Sequence, residues 1–232
     1  MDNTSLDQDE IVRLNAQALM KRARSPANKA IRREAILDAA EQHLTVVGID
    51  GFALNPIAQA LSIAKGTIYL YFETRESLLL ALIGRKVQRW FDAVTIGLKQ
   101  VSTGRDWAAL IFDTAHEDSD LIKLLLRQDL IIEHNLPQAR LIEYKTWWRQ
   151  WFETLAMLLA EQLEWRESAG LEAVRVTGPM LLGFCLAEQG PDLEAADCPP
   201  ALLQFFSEMS PRDAFVTNLS RLMQAIEREG KK

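Results

Sequence analysis

Two cysteines, Cys185 and Cys198, are the only thiols in 232 residues. A single pair cannot form the disulfide framework that staples small secreted domains. The expectation is two reduced thiols in a cytoplasmic protein. Histidine is equally scarce: His43, His116 and His134 lie far apart. There is no His-x-x-x-His, Cys-x-x-Cys or Gly-x-Ser-x-Gly, and no glycine-rich phosphate loop. No metal, cofactor or catalytic residue is therefore expected, and the chain does not read as an enzyme. The acidic run "HEDSD" at 116–120 has oxygens to offer. It lacks the glycine and the final glutamate of a calcium loop, so an exposed loop is expected. Long apolar runs are missing as well. Each apolar-rich segment meets Arg, Glu or Lys before the roughly 18 residues a membrane span needs. No apolar run follows a basic N-terminus, as a signal peptide requires. Alternating β-branched runs and fixed-period repeats are also absent. The pattern that remains is all-α.

Charge is present but unevenly placed. The net charge is −6. Residues 11–90 nevertheless hold twelve bases against six acids, and residues 91–232 hold fourteen against twenty-two. A basic head on an acidic body suggests that one end meets a polyanion. The alternative is chance clustering on a solvated helix.

The head reads as three helices. "IRREAILDAAEQHLTVVG" places Ile31, Ala35, Leu37, Ala39 and Leu44 near one face and stops at Gly48. "NPIAQAL" follows, with Asn55 as a cap and Pro56 in the first turn. After "SIA" comes "KGTIYLY". Two very short helices joined by a tight turn form a helix-turn-helix candidate whose second member would enter a DNA major groove. Ile57, Ala58, Leu61, Ile63 and Ile68 should pack on Leu37, Ala40 and Phe52. Ile68 and Phe72, one turn apart, both point inward. Tyr69 and Tyr71 are then left outside, where their hydroxyls can reach phosphates or base edges. Gly66 lets backbone approach the duplex closely. The alternative is that both rings only cover the head's core.

The stretch "GIDGFALNPIAQALSIAKGTIYLYFETRESLLLAL" resembles the DNA-binding domain of the TetR/AcrR family of bacterial transcriptional repressors. The pattern is Gly-x-x-x-Phe, Ile-Ala, a turn, then Gly-Thr-Ile-Tyr-x-Tyr-Phe, and Leu-Leu after a capped start at Thr74 and Ser77. It covers residues 31–80. The resemblance implies that Lys65, Gly66, Thr67 and Tyr69 read bases or nearby phosphates. It also implies that Tyr71 and Arg75 contact phosphate and that Asn55 can reach DNA. It gives a domain plan: an acidic then basic arm at 1–28, a helix-turn-helix domain at 29–75, and a helical ligand-binding and dimerisation domain at 76–232. In several members an arm like "KRARSPANKAIRR" touches DNA, which here would use Lys21, Arg22 and Arg24. Three departures stand out. Ser62 replaces the turn glycine, Ala64 replaces the Ser or Thr cap of the reading helix, and Pro56 replaces a commonly charged residue.

Breaks are expected at Gly104, Ser119, Pro137, Gly170, Gly190–Pro200 and Ser210–Pro211. The segment 138–166 carries Tyr144, Trp148, Trp151, Leu155, Leu158, Gln162 and Trp165 on a near-heptad seam, with Trp147 on its flank. An aromatic-rich core is one reading. A ligand cavity is the other, and the family resemblance favours it. Its expected lining is Tyr144, Trp147, Trp148 and Trp151, faced by Trp107, Phe112, Leu125, Met180 and Phe184. His116, Gln128, Glu133, His134 and Glu188 are the polar candidates. Gly178 and Gly183 permit close helix approach, and Phe215, Leu219, Leu222 and Ile226 form an apolar stripe. The resemblance implies that these two helices pair with their copies in a homodimer; burial within the chain is the alternative. The functional expectation is a repressor released from an operator by a small hydrophobic or amphipathic effector. The alternatives are an architectural DNA-binding protein without an inducer and, more weakly, an all-α enzyme using the aromatic cavity.

Overall fold

A computed structural model describes residues 26–128, 133–188, 198–207 and 210–230. The chain divides into two compact units, Met1–Leu78 and Leu79–Lys232. The regular elements among the described residues are helices, with no strand among them.

In the first unit, α1 (Pro26–Val47) ends as expected at Gly48, whose φ of +69° suits glycine. The Gly48 amide closes on the Leu44 carbonyl at 2.7 Å. The buried face of α1 is Ile36, Leu37, Ala40 and Leu44. Ile31 is not part of it and stays 68% exposed, because it lies a full turn before the packed stretch. Helix α2 (Leu54–Ala60) begins one residue before Asn55. Its cap is Ala53, so Asn55 and Pro56 both lie inside the first turn, and the expected Asn55 cap does not form. The Ala53 amide donates instead to His43 Nε2 at 3.4 Å. Helix α3 (Lys65–Tyr69) has only five residues. Phe52, Ile57, Ala58, Ile68 and Phe72 complete the core. Leu61 and Ile63 are half-buried.

Helix α4 (Arg75–Leu98) starts where Thr74 accepts from the Ser77 amide at 3.0 Å. The second unit then runs through α5 (Gly104–His116), α6 (Ser119–Arg127), a 3-10 turn at Glu133–Asn135, α7 (Gln138–Gln162), α8 (Glu167–Ala187), α9 (Pro200–Ser207) and α10 (Pro211–Gly230). Helix α5 opens with a full capping box. Thr103 accepts from the Asp106 amide, and Asp106 accepts from the Thr103 amide. The run at 116–120 is not a free loop. Asp118 caps α6, accepting from the Asp120 and Leu121 amides. It also takes the Lys86 ammonium at 2.7 Å. Lys86 is buried, and the paired carboxylate offsets the cost of burying its charge.

Helix α8 packs against α7 and α10, and α10 against α5. Gly170 does not break α8. It lies inside the helix because a Cβ there would strike the Ala156 carbonyl and the Ala160 methyl of α7. The chain reverses earlier, at Glu164 with φ of +56°, and the Trp165 amide returns to the Ala160 carbonyl. Phe215, Leu219 and Ile226 are buried within the chain, with Leu222 packed beside them. That stripe therefore serves the core of this unit and not a second copy. Helix α8 has 21 residues and is apolar enough to cross a membrane by length and composition, contrary to the sequence expectation. Its Ala169, Ala173, Val174, Thr177, Leu181 and Cys185 face the helical core.

Candidate DNA-reading head and effector cleft

The head presents a polar edge. Asn55, Lys65, Gly66 and Tyr69 are exposed, and Thr67 is half-buried. A Cβ at Gly66 would meet no other atom among the described residues. The Lys65 ammonium stands 5.9 Å from the Tyr69 ring centroid, a cation on the aromatic face. Tyr71 differs from Tyr69. Helix α3 ends at Tyr69, so Tyr71 follows it in the turn, half-buried. There it lines a hollow of about 450 Å³ with Asn28, Ile31, Arg32 and Leu61. Leu70 was not anticipated from sequence, yet it is 75% exposed beside Tyr69. An apolar side chain on a reading edge can contact a thymine methyl. No sequence signal marks it, since a leucine in a helical stretch reads as core.

Arg75 faces inward. Its Nε donates to the Phe52 carbonyl at 3.0 Å and its Nη2 to the Ile49 carbonyl at 2.8 Å. Its guanidinium carbon lies 5.7 Å from the Phe52 ring centroid. Arg75 thus pins the turn between α1 and α2, and only its remaining donors could meet a phosphate. Lys21, Arg22 and Arg24 lie outside the described residues. Both departures in the turn have visible consequences. Ser62 adopts φ of +52°, a left-handed conformation that a side chain disfavours. Ala64 caps α3 with no side-chain hydrogen bond.

In the second unit, a cleft of about 820 Å³ lies along α4, α6, α7 and α8. Trp90, Trp148 and Phe152 supply rings, and Leu125, Leu171 and Leu182 supply aliphatic surface. Lys145, Arg149 and Arg175 bring three cations against Glu153. Lys145 is paired with Glu133 at 2.9 Å and Arg149 with Glu153 at 2.9 Å. Arg175 has no partner among the described residues. Behind the cleft, the Tyr144 hydroxyl donates to Gln128 Oε1 at 2.7 Å, and Gln128 Nε2 donates to Glu133 at 2.9 Å. Trp148 also borders a second, narrow slot of about 40 Å³ with Trp107 and Trp151. The Trp148 indole N–H is buried and has no acceptor among the described residues. Such an orphan donor is uncommon and costly in a folded interior.

The expected lining is therefore split. Leu125, Gln128 and Trp148 line the cleft, while Trp107 and Trp151 line only the slot. Trp107 is fully buried and donates to Thr177 at 3.0 Å, a core role. Tyr144 is buried behind the cleft and stacks on Trp147. Phe112 and Phe184 pack on Phe215, and Met180 packs beside the same cluster. His116 bonds to Glu188, away from the cleft lining. His134 sits in the 3-10 turn and lines neither hollow. A seam read from ring count alone cannot tell rings facing a cavity from rings facing other rings. The residues that sequence reasoning missed are Trp90, Phe152 and Arg175. Arg175, the one cation in helix α8, is the signal available.

Residues 36–82 match the family described as "Bacterial regulatory proteins, tetR family", and residues 84–196 match "Tetracyclin repressor-like, C-terminal domain". A "Fatty acid metabolism regulator protein" from Bacillus subtilis (strain 168) is 30% identical over 76 residues. That likeness spans 33% of this chain and 39% of the relative. Among solved structures, the multidrug binding protein EbrR complexed with imidazole aligns with TM-score 0.53 at 19% identity, covering 82% of this chain and 94% of that one. The regulator FadR from Bacillus subtilis in complex with stearoyl-CoA aligns with TM-score 0.50 at 17% identity, covering 81% and 97%. Both structural likenesses concern the fold. With head and body matched in the same order, the chain is a member of the TetR family of bacterial transcriptional regulators.

Proposed function

We propose that this regulator is a homodimeric repressor whose operator affinity is switched by an amphipathic anion bound in the body, and that it is not an enzyme and works in the cytoplasm. The observation that carries the effector class is the 820 Å³ cleft, in which aromatic and aliphatic walls meet Arg175. An apolar chain would lie on Trp90, Trp148 and Phe152, and an acidic head would meet Arg175. A ring shift at Trp148 would let a ligand oxygen accept the orphan indole N–H. The relative solved with stearoyl-CoA supports this chemistry by analogy of fold only. Lys65, Gly66, Thr67 and Tyr69 are the proposed reading edge, assisted by Asn55, Tyr71 and Leu70. The ligand must prefer one of two states, or no switch results.

The dimer rests on the family and on Gly183. Gly178 and Gly183 lie in a helix, where glycine costs roughly 1 kcal/mol relative to alanine. Among the described residues no side chain crowds Gly183, and only Phe152 comes near Gly178. Gly178 lines the effector cleft, so it is the close approach at Gly183 that is left for a second copy, alongside exposed Leu186.

Operator binding with and without long-chain fatty acids or their thioesters tests the reading. The expected result is loss of operator affinity with ligand in the wild type and a blunted response in Arg175→Ala. Operator binding unmoved by any amphipathic anion would favour the architectural alternative.

A further inference from the structure

Away from the cleft, three metal-competent side chains meet where the end of α5 lies beside the end of α8. His116, Cys185 and Glu188 each direct a ligand atom to one place, and those atoms lie within 4.8 Å of one another. We propose that they form a binding site for a divalent transition cation, zinc foremost, with a fourth position left to water.

The histidine is set for it. His116 Nδ1 lies 2.8 Å from the Phe112 carbonyl. A carbonyl only accepts, so Nδ1 carries a hydrogen. Its ring stacks on Phe112 at 4.0 Å between centroids, which holds the plane. The other nitrogen, Nε2, then faces Glu188 Oε2 at 2.7 Å and Cys185 Sγ at 3.9 Å. A ring nitrogen and a carboxylate oxygen so close require a cation between them. A proton suffices for that pair alone, but it gives the sulfur no role. Tetrahedral zinc holds nitrogen and sulfur ligands roughly 3.6 Å apart and nitrogen and oxygen ligands roughly 3.3 Å apart, from its usual bond lengths. The nitrogen–sulfur and nitrogen–oxygen separations would each change by tenths of an ångström, and the sulfur and oxygen, within 4.8 Å of each other, would close on the ion. The Phe112 carbonyl is the outer partner that metal-bound histidines generally have. Cys185 is wholly buried while His116 and Glu188 are each about a third exposed, so the ion has an entry side and a sealed side. Binding replaces the thiol proton and the imidazole–carboxylate proton with one metal ion, and the protons leave to solvent.

Cobalt is the probe, because a thiolate ligand gives it a charge-transfer band that oxygen and nitrogen ligands do not. Metal-free full-length protein would be titrated with cobalt, then with zinc against a chromophoric chelator. The expected result is one ion per chain and a thiolate–cobalt band. The band should vanish in Cys185→Ser and persist in Cys198→Ser. Glu188→Gln and His116→Gln should each weaken zinc by at least the ten- to hundred-fold that loss of an outer partner alone costs, on the order of magnitude known for zinc sites. Should Cys185→Ser fail to fold, the two half-exposed positions still decide the matter. No thiolate band in the wild type, a band that follows Cys198, or zinc affinity unchanged in both Glu188→Gln and His116→Gln would overturn the site.

Discussion

At the scale of single residues, the reading turn carries two local costs that simple substitutions should remove. Ser62 occupies the left-handed region at φ of +52°. Ser62→Gly should stabilise the head by about 0.5–1 kcal/mol, less than the full left-handed penalty because glycine loses more chain entropy. Ala64→Ser should add about 1 kcal/mol by supplying the missing cap of α3. Urea denaturation followed by helical circular dichroism measures both, and a loss of stability in either would mean that the turn geometry differs. Tyr69→Phe removes one hydroxyl from an exposed edge. It should leave the melting temperature unchanged and weaken operator binding by roughly 1 kcal/mol, the usual net worth of one hydrogen bond. Thr103→Ala should cost about 1 kcal/mol at neutral pH. The Thr103 hydroxyl, with the Ser102 and Thr103 amides, holds the Asp106 carboxyl below its usual range against the opposing effect of burial. A lowered carboxyl stabilises the fold above its unfolded pKa and stops doing so as pH falls through the folded one. The gap between wild type and variant should therefore shrink in acid. Cys185 should be inert to alkylating reagents at neutral pH in metal-free protein, since burial, with Glu188 nearby, pushes its thiol up to about 12.

At the scale of helices, the decisive contact is the crossing of α7 and α8 at Gly170. Gly170→Ala should destabilise the second unit by about 1–3 kcal/mol, because the added methyl meets backbone and a methyl that cannot swing aside. Gly183→Ala is the contrasting case and should leave the isolated fold intact or slightly firmer. This pair also shows where the sequence is legible. The helices, the capped start at Thr74 and the stop at Gly48 follow from local chemistry, and local chemistry is written in neighbouring residues. Gly170 looked like a break because glycine usually is one; its true reason, a methyl-wide gap to α7, lies across the chain. Ile31 and Asn55 were misplaced for the same kind of reason. Periodicity gives a face but not the residue at which packing begins. The cleft was the least legible part. Tyr144, Trp147 and Trp148 lie close together on one helix, yet one backs a hydrogen-bond network, one stacks on it, and one walls the cavity.

For the whole molecule, the separation of a basic segment at 11–90 from an acidic stretch at 91–232 leads to a physical expectation about binding. Operator affinity should fall steeply with added salt as counterions are no longer usefully released. A flat dependence, read by fluorescence anisotropy across a salt series, would remove phosphate contact as the main source of affinity. A bulky change at Gly183, such as Gly183→Gln, should lower the fraction of dimer seen by light scattering while helicity stays as in the wild type. Unchanged mass would place the interface elsewhere on the body.

The brevity of α3 has one more consequence. Five residues form barely more than a single turn, with no side-chain cap at the start and only Ile68 buried beneath them. Such a piece holds its shape by leaning on its neighbours, and its amides should trade hydrogen for deuterium sooner than those of α1. Contact with a duplex would then quiet that breathing, so the exchange map of residues 62–70 becomes a direct gauge of occupancy, legible even before any operator sequence is known.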